Sequence, residues 1–323
     1  MRFEGKTVFL VGCYRSGTTW LQLLLFQHPA VASSQETHLF NHYLCQFEAS
    51  WKRELEMAGP RKVGLSATLS QAEFDELMRD CAQAVLCKIA STKPNAEVVV
   101  EKTPDHINEW ELILRLFPNA YFLHVIRDPR GVVCSLRSFG RSLGLAWAPT
   151  NVVDAARFWR VRVQNGRRIA EATERYKEVF YEKLLTAGPD TLQDIFTWLG
   201  LKADRTICEG AIAACAIDNL RRGSPQVAAP WPLGEEPSQF YRHGRAEDWV
   251  NELSRTELRS VEYITGDVMD ELQYPRATPP TSHKPPGLVL RDTVAKALIG
   301  LLRTMSANWP SLLRTVRHML SNR

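Results

Sequence analysis

Thr7-Val8-Phe9-Leu10-Val11-Gly12-Cys13-Tyr14-Arg15-Ser16-Gly17-Thr18-Thr19-Trp20 is the stretch whose reading decides the fold. The run Thr7–Val11 is apolar and β-branched, as a strand buried on both faces requires, and it stops at Gly12. From Thr18 to His28 the apolar residues recur at helical spacing until Pro29 forbids another turn. Between strand and helix lie two glycines five apart and the hydroxyls of Ser16, Thr18 and Thr19. Such a turn wraps tightly, and the helix behind it directs free N–H groups and a positive dipole end at whatever the turn encloses. The stretch therefore predicts a strand, an anion-binding loop and a helix.

Working outward, the same punctuation recurs. Val98–Val100 is a short buried run ending in Glu101-Lys102-Thr103-Pro104. Ala120–Ile126 is another, ending in Arg127-Asp128-Pro129, and Glu178–Tyr181 a fourth. Helical periodicity fills the intervals at Phe74–Lys88, Ile107–Leu116, Val152–Tyr176 and Asp190–Leu199. Strands alternating with helices predict an α/β fold, a central and mainly parallel sheet flanked by helices. Ligands of such sheets collect beyond the carboxyl ends of the strands. Here those ends hold Gly12–Thr19, Lys102–His106 and Arg127–Ser135.

Composition narrows the classes. The 323 residues are 45 % hydrophobic and 24 % charged, which fits a globular chain with a sizeable core rather than a disordered or fibrous one. Lys+Arg 40 against Asp+Glu 36 leaves +4, too little charge for a nucleic-acid binder. Seven cysteines without a CxxC pair argue against a zinc ribbon or a disulfide scaffold and for a reducing compartment. The N-terminus has neither the apolar core nor the small-residue cleavage site of a signal peptide, and no run approaches the roughly 18 apolar residues of a bilayer span. These features predict a cytoplasmic protein.

Gly12–Thr19 has the spacing of a Walker A loop, but Thr18 stands where that loop carries its lysine, and the loop's cation is Arg15. An NTPase would lack its β/γ-phosphate contact. Tyr14-Arg15-Ser16-Gly17-Thr18-Thr19-Trp20-Leu21 instead resembles the 5′-phosphosulfate loop of sulfotransferases that use 3′-phosphoadenosine 5′-phosphosulfate (PAPS). Val125 to Ser135 resembles that family's 3′-phosphate motif, an apolar strand, Arg-Asp-Pro, and a serine eight residues after the arginine. Arg127 offers a planar fork to phosphate oxygens, and Asp128 suits a helix cap. Val179-Phe180-Tyr181-Glu182-Lys183-Leu184 resembles the family's Tyr-Glu-x-Leu segment, whose tyrosine lies near the adenine; a core tyrosine is the alternative for Tyr181. Tyr241-Arg242-His243-Gly244-Arg245 is similar to the late basic-glycine segment that closes over the 3′-phosphate.

The resemblance thus implies a P-loop-containing, sulfotransferase-like fold and PAPS as co-substrate, with no metal. Donor contacts are expected from Arg15, Ser16, Gly17, Thr18, Thr19, Trp20, Arg127, Ser135, Tyr181, Arg242, Gly244 and Arg245. Sulfuryl transfer needs charge stabilised on the bridging oxygen and a proton removed from the acceptor hydroxyl. Arg15 suits the first task, and Lys102 at its own strand end could share it. Three groups compete for the second. Gln35-Glu36-Thr37-His38-Leu39-Phe40 resembles the Glu-x-His-Phe segment of bacterial and carbohydrate-type sulfotransferases, where the glutamate is the base. His106 stands beside a strand end, and histidine is the residue type best suited to proton transfer near neutral pH. His38 shares the Glu36 segment. The branch implied is the bacterial or carbohydrate one, with a sugar, lipid, peptide or natural-product hydroxyl as acceptor. Trp147, Trp231 and Phe240 lie in stretches without a motif and are candidates for an apolar acceptor pocket or for core. Rival readings are a P-loop NTPase or kinase-like phosphotransferase and a catalytically silent nucleotide-binding protein.

Residues 1–274 are read as the sulfotransferase domain, 275–287 as a stiff linker with five prolines, and 288–323 as a basic amphipathic helical tail. The tail carries Arg291, Lys296, Arg303, Arg314, Arg317 and Arg323 against Asp292. It is expected either to pack on the domain or a second subunit, or to bind a membrane surface or a carrier protein.

Overall fold

The computed structural model describes residues 2–57, 64–143, 147–224, 227–233, 241, 244–280, 283 and 285. Arg242, Phe240 and the tail at 288–323 lie outside the described residues.

Five strands form one sheet in the order β2-β3-β1-β4-β5: β1 Lys6–Gly12, β2 Val31–Ser33, β3 Val98–Glu101, β4 Tyr121–Ile126 and β5 Tyr176–Phe180. Every pairing is parallel, with Val8 opposite Val100 on one side and Leu10 opposite Leu123 on the other. The fold is the expected α/β sheet flanked by helices. Strand β1 explains why. Successive side chains alternate faces, and both faces are covered. Val8 and Leu10 join a core with Leu23, Leu24 and Phe196, whereas Phe9 and Val11 join one with Phe40, Phe74 and Phe122.

The helices are α1 Thr18–Phe26, α2 Cys45–Met57, α3 Gln71–Ala90, α4 Trp110–Leu116, α5 Pro129–Leu143, α6 Val152–Ala172, α7 Tyr181–Thr186, α8 Gly188–Trp198, α9 Arg205–Ala214, α10 Ile217–Arg221, α11 Trp249–Glu252 and α12 Arg255–Glu271. Among the described residues no helix is long and apolar enough to cross a membrane. Asp128 accepts from the Arg130 N–H at 2.8 Å, the cap anticipated for α5. Capping boxes at Ser70/Glu73 and Ser254/Glu257 open α3 and α12.

Several boundaries differ from the periodicity. The helix expected to reach Tyr176 ends at Ala172, because Tyr176 pairs with Phe122 in β5; Tyr181, expected to close that strand, opens α7. The helix expected over Ile107–Leu116 breaks at Glu109 into a 3-10 turn, Pro104–Asn108, and α4. Strand β2 escaped the sequence because three residues carry no period. Beyond α12 the proline-bearing segment begins anchored: the N–H groups of Ala277 and Thr278 donate to Glu262, and Arg276 bonds to Asp270.

Candidate active site

All five strands end on one side of the molecule, so the loops that follow them converge there. The loop after β1 makes its turn with Arg15 (φ 71°) and Gly17 (φ 98°) in the left-handed region. At Gly17 no side chain would fit, because a Cβ would stand 2.6 Å from the Tyr181 ring. Helix α1 starts next, at Thr18, and the N–H groups of its first turn have no intrahelical acceptor. The Ser16 hydroxyl is fully buried and has no partner among the described residues. A loop with open N–H groups and an orphaned buried hydroxyl suits an anion.

That loop forms one wall of a cleft of about 230 Å³. Arg15, Gly17, Thr18, Thr19, Trp20, Arg127, Ser135, Tyr181 and Gly244, nine of the residues expected to hold the donor, line it. Arg127 lies flat beneath the site, its guanidinium carbon 4.3 Å from the centroid of the Tyr181 ring, and Trp20 meets that ring edge-on at 5.8 Å. The nitrogens of the Arg127 fork donate to the carbonyls of Arg15 (3.2 Å) and Arg245 (2.9 Å), while its buried Nε has no partner among the described residues. Arg245 thus reaches the site through its backbone. Arg15 Nε donates to Ser135 Oγ at 3.1 Å, joining the phosphate loop to the Arg-Asp-Pro helix. Gly131, Cys134, Leu185, Ile217, Leu220, Tyr241, Asp248 and Trp249 complete the cleft, and none of them was among the expected donor contacts. Tyr241 and Trp249 flank the degenerate Gly244 segment, a signal that was available; Ile217 and Leu220 come from a stretch without a motif.

On the other side of the loop, Lys102 Nζ donates to Glu36 Oε1 at 2.5 Å and to Thr19 Oγ1 at 3.3 Å. One buried ammonium therefore spans the carboxylate and the phosphate loop. The Glu36 side chain keeps 27 % of its surface open, and His38 Nε2 stands 3.4 Å from its Oε2. His106 is elsewhere. It is fully buried, its Nε2 accepts the Phe40 N–H at 3.1 Å and its Nδ1 faces Glu101 Oε2 at 2.7 Å. Both nitrogens face protein groups away from solvent, so the structure places His106 in the core and not beside Glu36, where it was expected among the catalytic groups. Burial alone would raise the Glu101 carboxyl, but His106, Thr103 and Thr37 outweigh it and hold it near 2.

Aromatic residues stand beyond Arg15. Its guanidinium carbon is 4.9 Å from the Phe139 centroid, and Trp147 lies 6.0 Å from Phe139 and 4.6 Å from Tyr14. Burial, and then the carboxylates of Asp105 and Glu36, push the Tyr14 phenol upward. Trp231, the other described candidate for an acceptor pocket, packs against the core.

The model of the sulfotransferase family matches residues 7–205. Protein-tyrosine sulfotransferase 2 of Gallus gallus is 25 % identical over 300 residues, 90 % of this chain and 75 % of that one. Among solved structures, the sulfotransferase domain of the Synechococcus PCC 7002 olefin synthase superposes with a TM-score of 0.52 at 19 % identity, covering 85 % of this chain and 96 % of that one. Mouse sulfotransferase SULT7A1 complexed with PAP gives 0.50 at 14 %, covering 82 % and 85 %. The branch expectation shifts accordingly, since the curated relative is a protein-tyrosine enzyme and not of the carbohydrate type. With its anion-binding loop, Arg-Asp-Pro helix and Tyr181 gathered around one cleft, the chain belongs to the sulfotransferase family and is a transferase of that family.

Proposed function

We propose that this protein transfers a sulfuryl group from PAPS to the hydroxyl of a tyrosyl side chain or a similar phenol, with Glu36 as general base. The observation that carries this reading is the Glu36–Lys102–Thr19 chain, which seats a partly open carboxylate against the phosphate loop through a single buried cation. The donor supplies a sulfuryl group on a phosphate leaving group, so the bond from sulfur to the phosphate oxygen breaks as one to the acceptor oxygen forms. The acceptor's proton goes to Glu36, and adenosine 3′,5′-bisphosphate leaves.

The remaining residues divide the work. The first-turn N–H groups of α1, with Ser16, Thr18 and Thr19, would hold the 5′ end. Arg127 and Ser135 would hold the 3′-phosphate, and Tyr181 and Trp20 the base. Arg15 and Lys102 supply positive charge where the leaving oxygen develops negative charge, a stabilisation that is strong in a site closed to water. Tyr14, Phe139 and Trp147 favour a planar acceptor over a sugar, in keeping with the relative named for tyrosine.

Calorimetric titration with the bisphosphate product, beside ATP–Mg²⁺ and AMP, tests the donor site. The bisphosphate should bind, AMP should not, and Arg127→Ala should weaken the bisphosphate by about 100-fold, the loss of a charge-assisted bidentate contact. Preference for ATP–Mg²⁺ would overturn the donor assignment. Turnover of PAPS with a tyrosine peptide, a simple phenol and a glycoside then tests the acceptor; transfer to the glycoside alone would overturn the phenolic reading.

A further inference from the structure

The loop carrying Glu36 is tied down amide by amide. The Thr37 N–H donates to Glu101 Oε1 (3.4 Å), that of His38 to Thr103 Oγ1 (3.3 Å), that of Leu39 to Thr37 Oγ1 (3.1 Å) and that of Phe40 to His106 Nε2 (3.1 Å). Four consecutive backbone donors thus end on side chains, three of which come from the last residue of β3 and the segment that follows it. Those side chains are bonded among themselves. The hydroxyls of Thr37 and Thr103 donate to the same Glu101 oxygen at 2.8 and 2.7 Å, and His106 Nδ1 faces the other. Glu101, Thr103 and His106 are at most 1 % exposed. Within the loop His38 holds a left-handed φ of 51°, a conformation a non-glycine residue keeps only where its surroundings enforce it.

Buried groups this closely linked form a rigid unit, because losing any one of these hydrogen bonds strands another buried group without a partner. We infer that Glu101, Thr103 and His106, acting with Thr37, are positioning residues for the Glu36 base: they fix the loop so that the Glu36 carboxylate meets Lys102 and the acceptor hydroxyl. The inference rests on Glu36 as base. None of the four residues lines the donor cleft. The network acts through the backbone of residues 37–40 alone, and its natural tautomer keeps the proton on Nδ1, toward Glu101, with Nε2 open to Phe40.

The test is a double-mutant cycle on the full chain with PAPS and a tyrosine peptide. Thr37→Val keeps the side chain's shape and deletes the hydroxyl that both donates to Glu101 and accepts from Leu39. It should lower kcat about 10- to 100-fold, the cost of a displaced catalytic group, while affinity for adenosine 3′,5′-bisphosphate stays unchanged. Thr37→Ser, which restores the hydroxyl, should recover most of kcat. In a Glu36→Gln background the same Thr37→Val change should alter residual turnover less than about twofold, because the group being positioned is gone. His106→Gln, which keeps an acceptor for Phe40, should lie between the native protein and His106→Ala. Equal losses with and without the Glu36 carboxylate, or full activity in both Thr37→Val and His106→Ala, would overturn the positioning role. An unsubstituted protein that binds no bisphosphate would instead overturn the donor reading. A Glu36→Gln variant with native kcat would remove Glu36 itself.

Discussion

The two halves of the site are built differently. The half proposed to hold the donor is made of short motifs, at the ends of β1, β4 and β5 and around Gly244, that line an open cleft. The half proposed to serve the acceptor, Glu36 with the network behind its loop, is made of side chains from separate segments bonded to one another in the core. A backbone cradle tolerates a change in one side chain, because the neighbouring N–H groups persist. A closed side-chain network does not, since each member satisfies another. The donor half should therefore lose affinity in steps, and the acceptor half should lose rate with affinity intact.

The largest separation is expected at Glu36. Glu36→Gln keeps the shape and a partner for Lys102 but removes the base, and general-base catalysis contributes about 10²–10⁴-fold. Single-turnover rates should fall by that factor while bisphosphate affinity holds. If affinity fell in parallel, the two halves would be a single electrostatic unit and the comparison would fail. Gly17→Ala probes the other half. The left-handed backbone alone costs about 1–2 kcal/mol for an L-residue, and the added methyl meets the Tyr181 ring. Bisphosphate affinity should drop by at least about tenfold, since 1.4 kcal/mol is a factor of ten. Unchanged affinity would mean that the turn does not hold the donor.

The same contrast explains what the sequence disclosed. The sheet was legible because β1 and β4 are largely apolar runs that end in Gly12 and in Arg127-Asp128-Pro129, and the proposed donor half because Gly12–Thr19 and Arg127–Ser135 are contiguous. Strand β2 was too short to read, and Tyr176 was assigned to a helix because its pairing with Phe122 is a tertiary fact. His106 was the instructive case. A histidine near a strand end reads as a base, but only the positions of Glu101 and the Phe40 N–H, distant in sequence, show both ring nitrogens engaged. Nor could sequence order bring Trp147 against Tyr14.

A second buried histidine gives the smallest effect and sharpens the contrast with His106. His124, on β4, is fully buried; its Nδ1 lies 2.7 Å from the Tyr176 hydroxyl, which in turn bonds to Glu178, and its Nε2 has no partner among the described residues. Burial first, and then the Arg167 cation, push it down from 6.5 to about 3. The unfolded chain therefore takes up a proton near pH 6.5 that the fold refuses until about 3, so this contribution to stability is complete above 6.5 and is lost as pH falls toward 3. Glu101, held near 2 against an ordinary 4.5, loses its own contribution only between those values. Between pH 6.5 and 4.5 the decline of Tm should thus carry a His124 component of a few degrees, absent in His124→Gln. Turnover at neutral pH should be the same in both, because His124 contacts no part of either half of the site. A His124→Gln variant with native Tm but reduced kcat would reverse the assignment, making the β4 histidine functional and leaving His106 as one core contact among many.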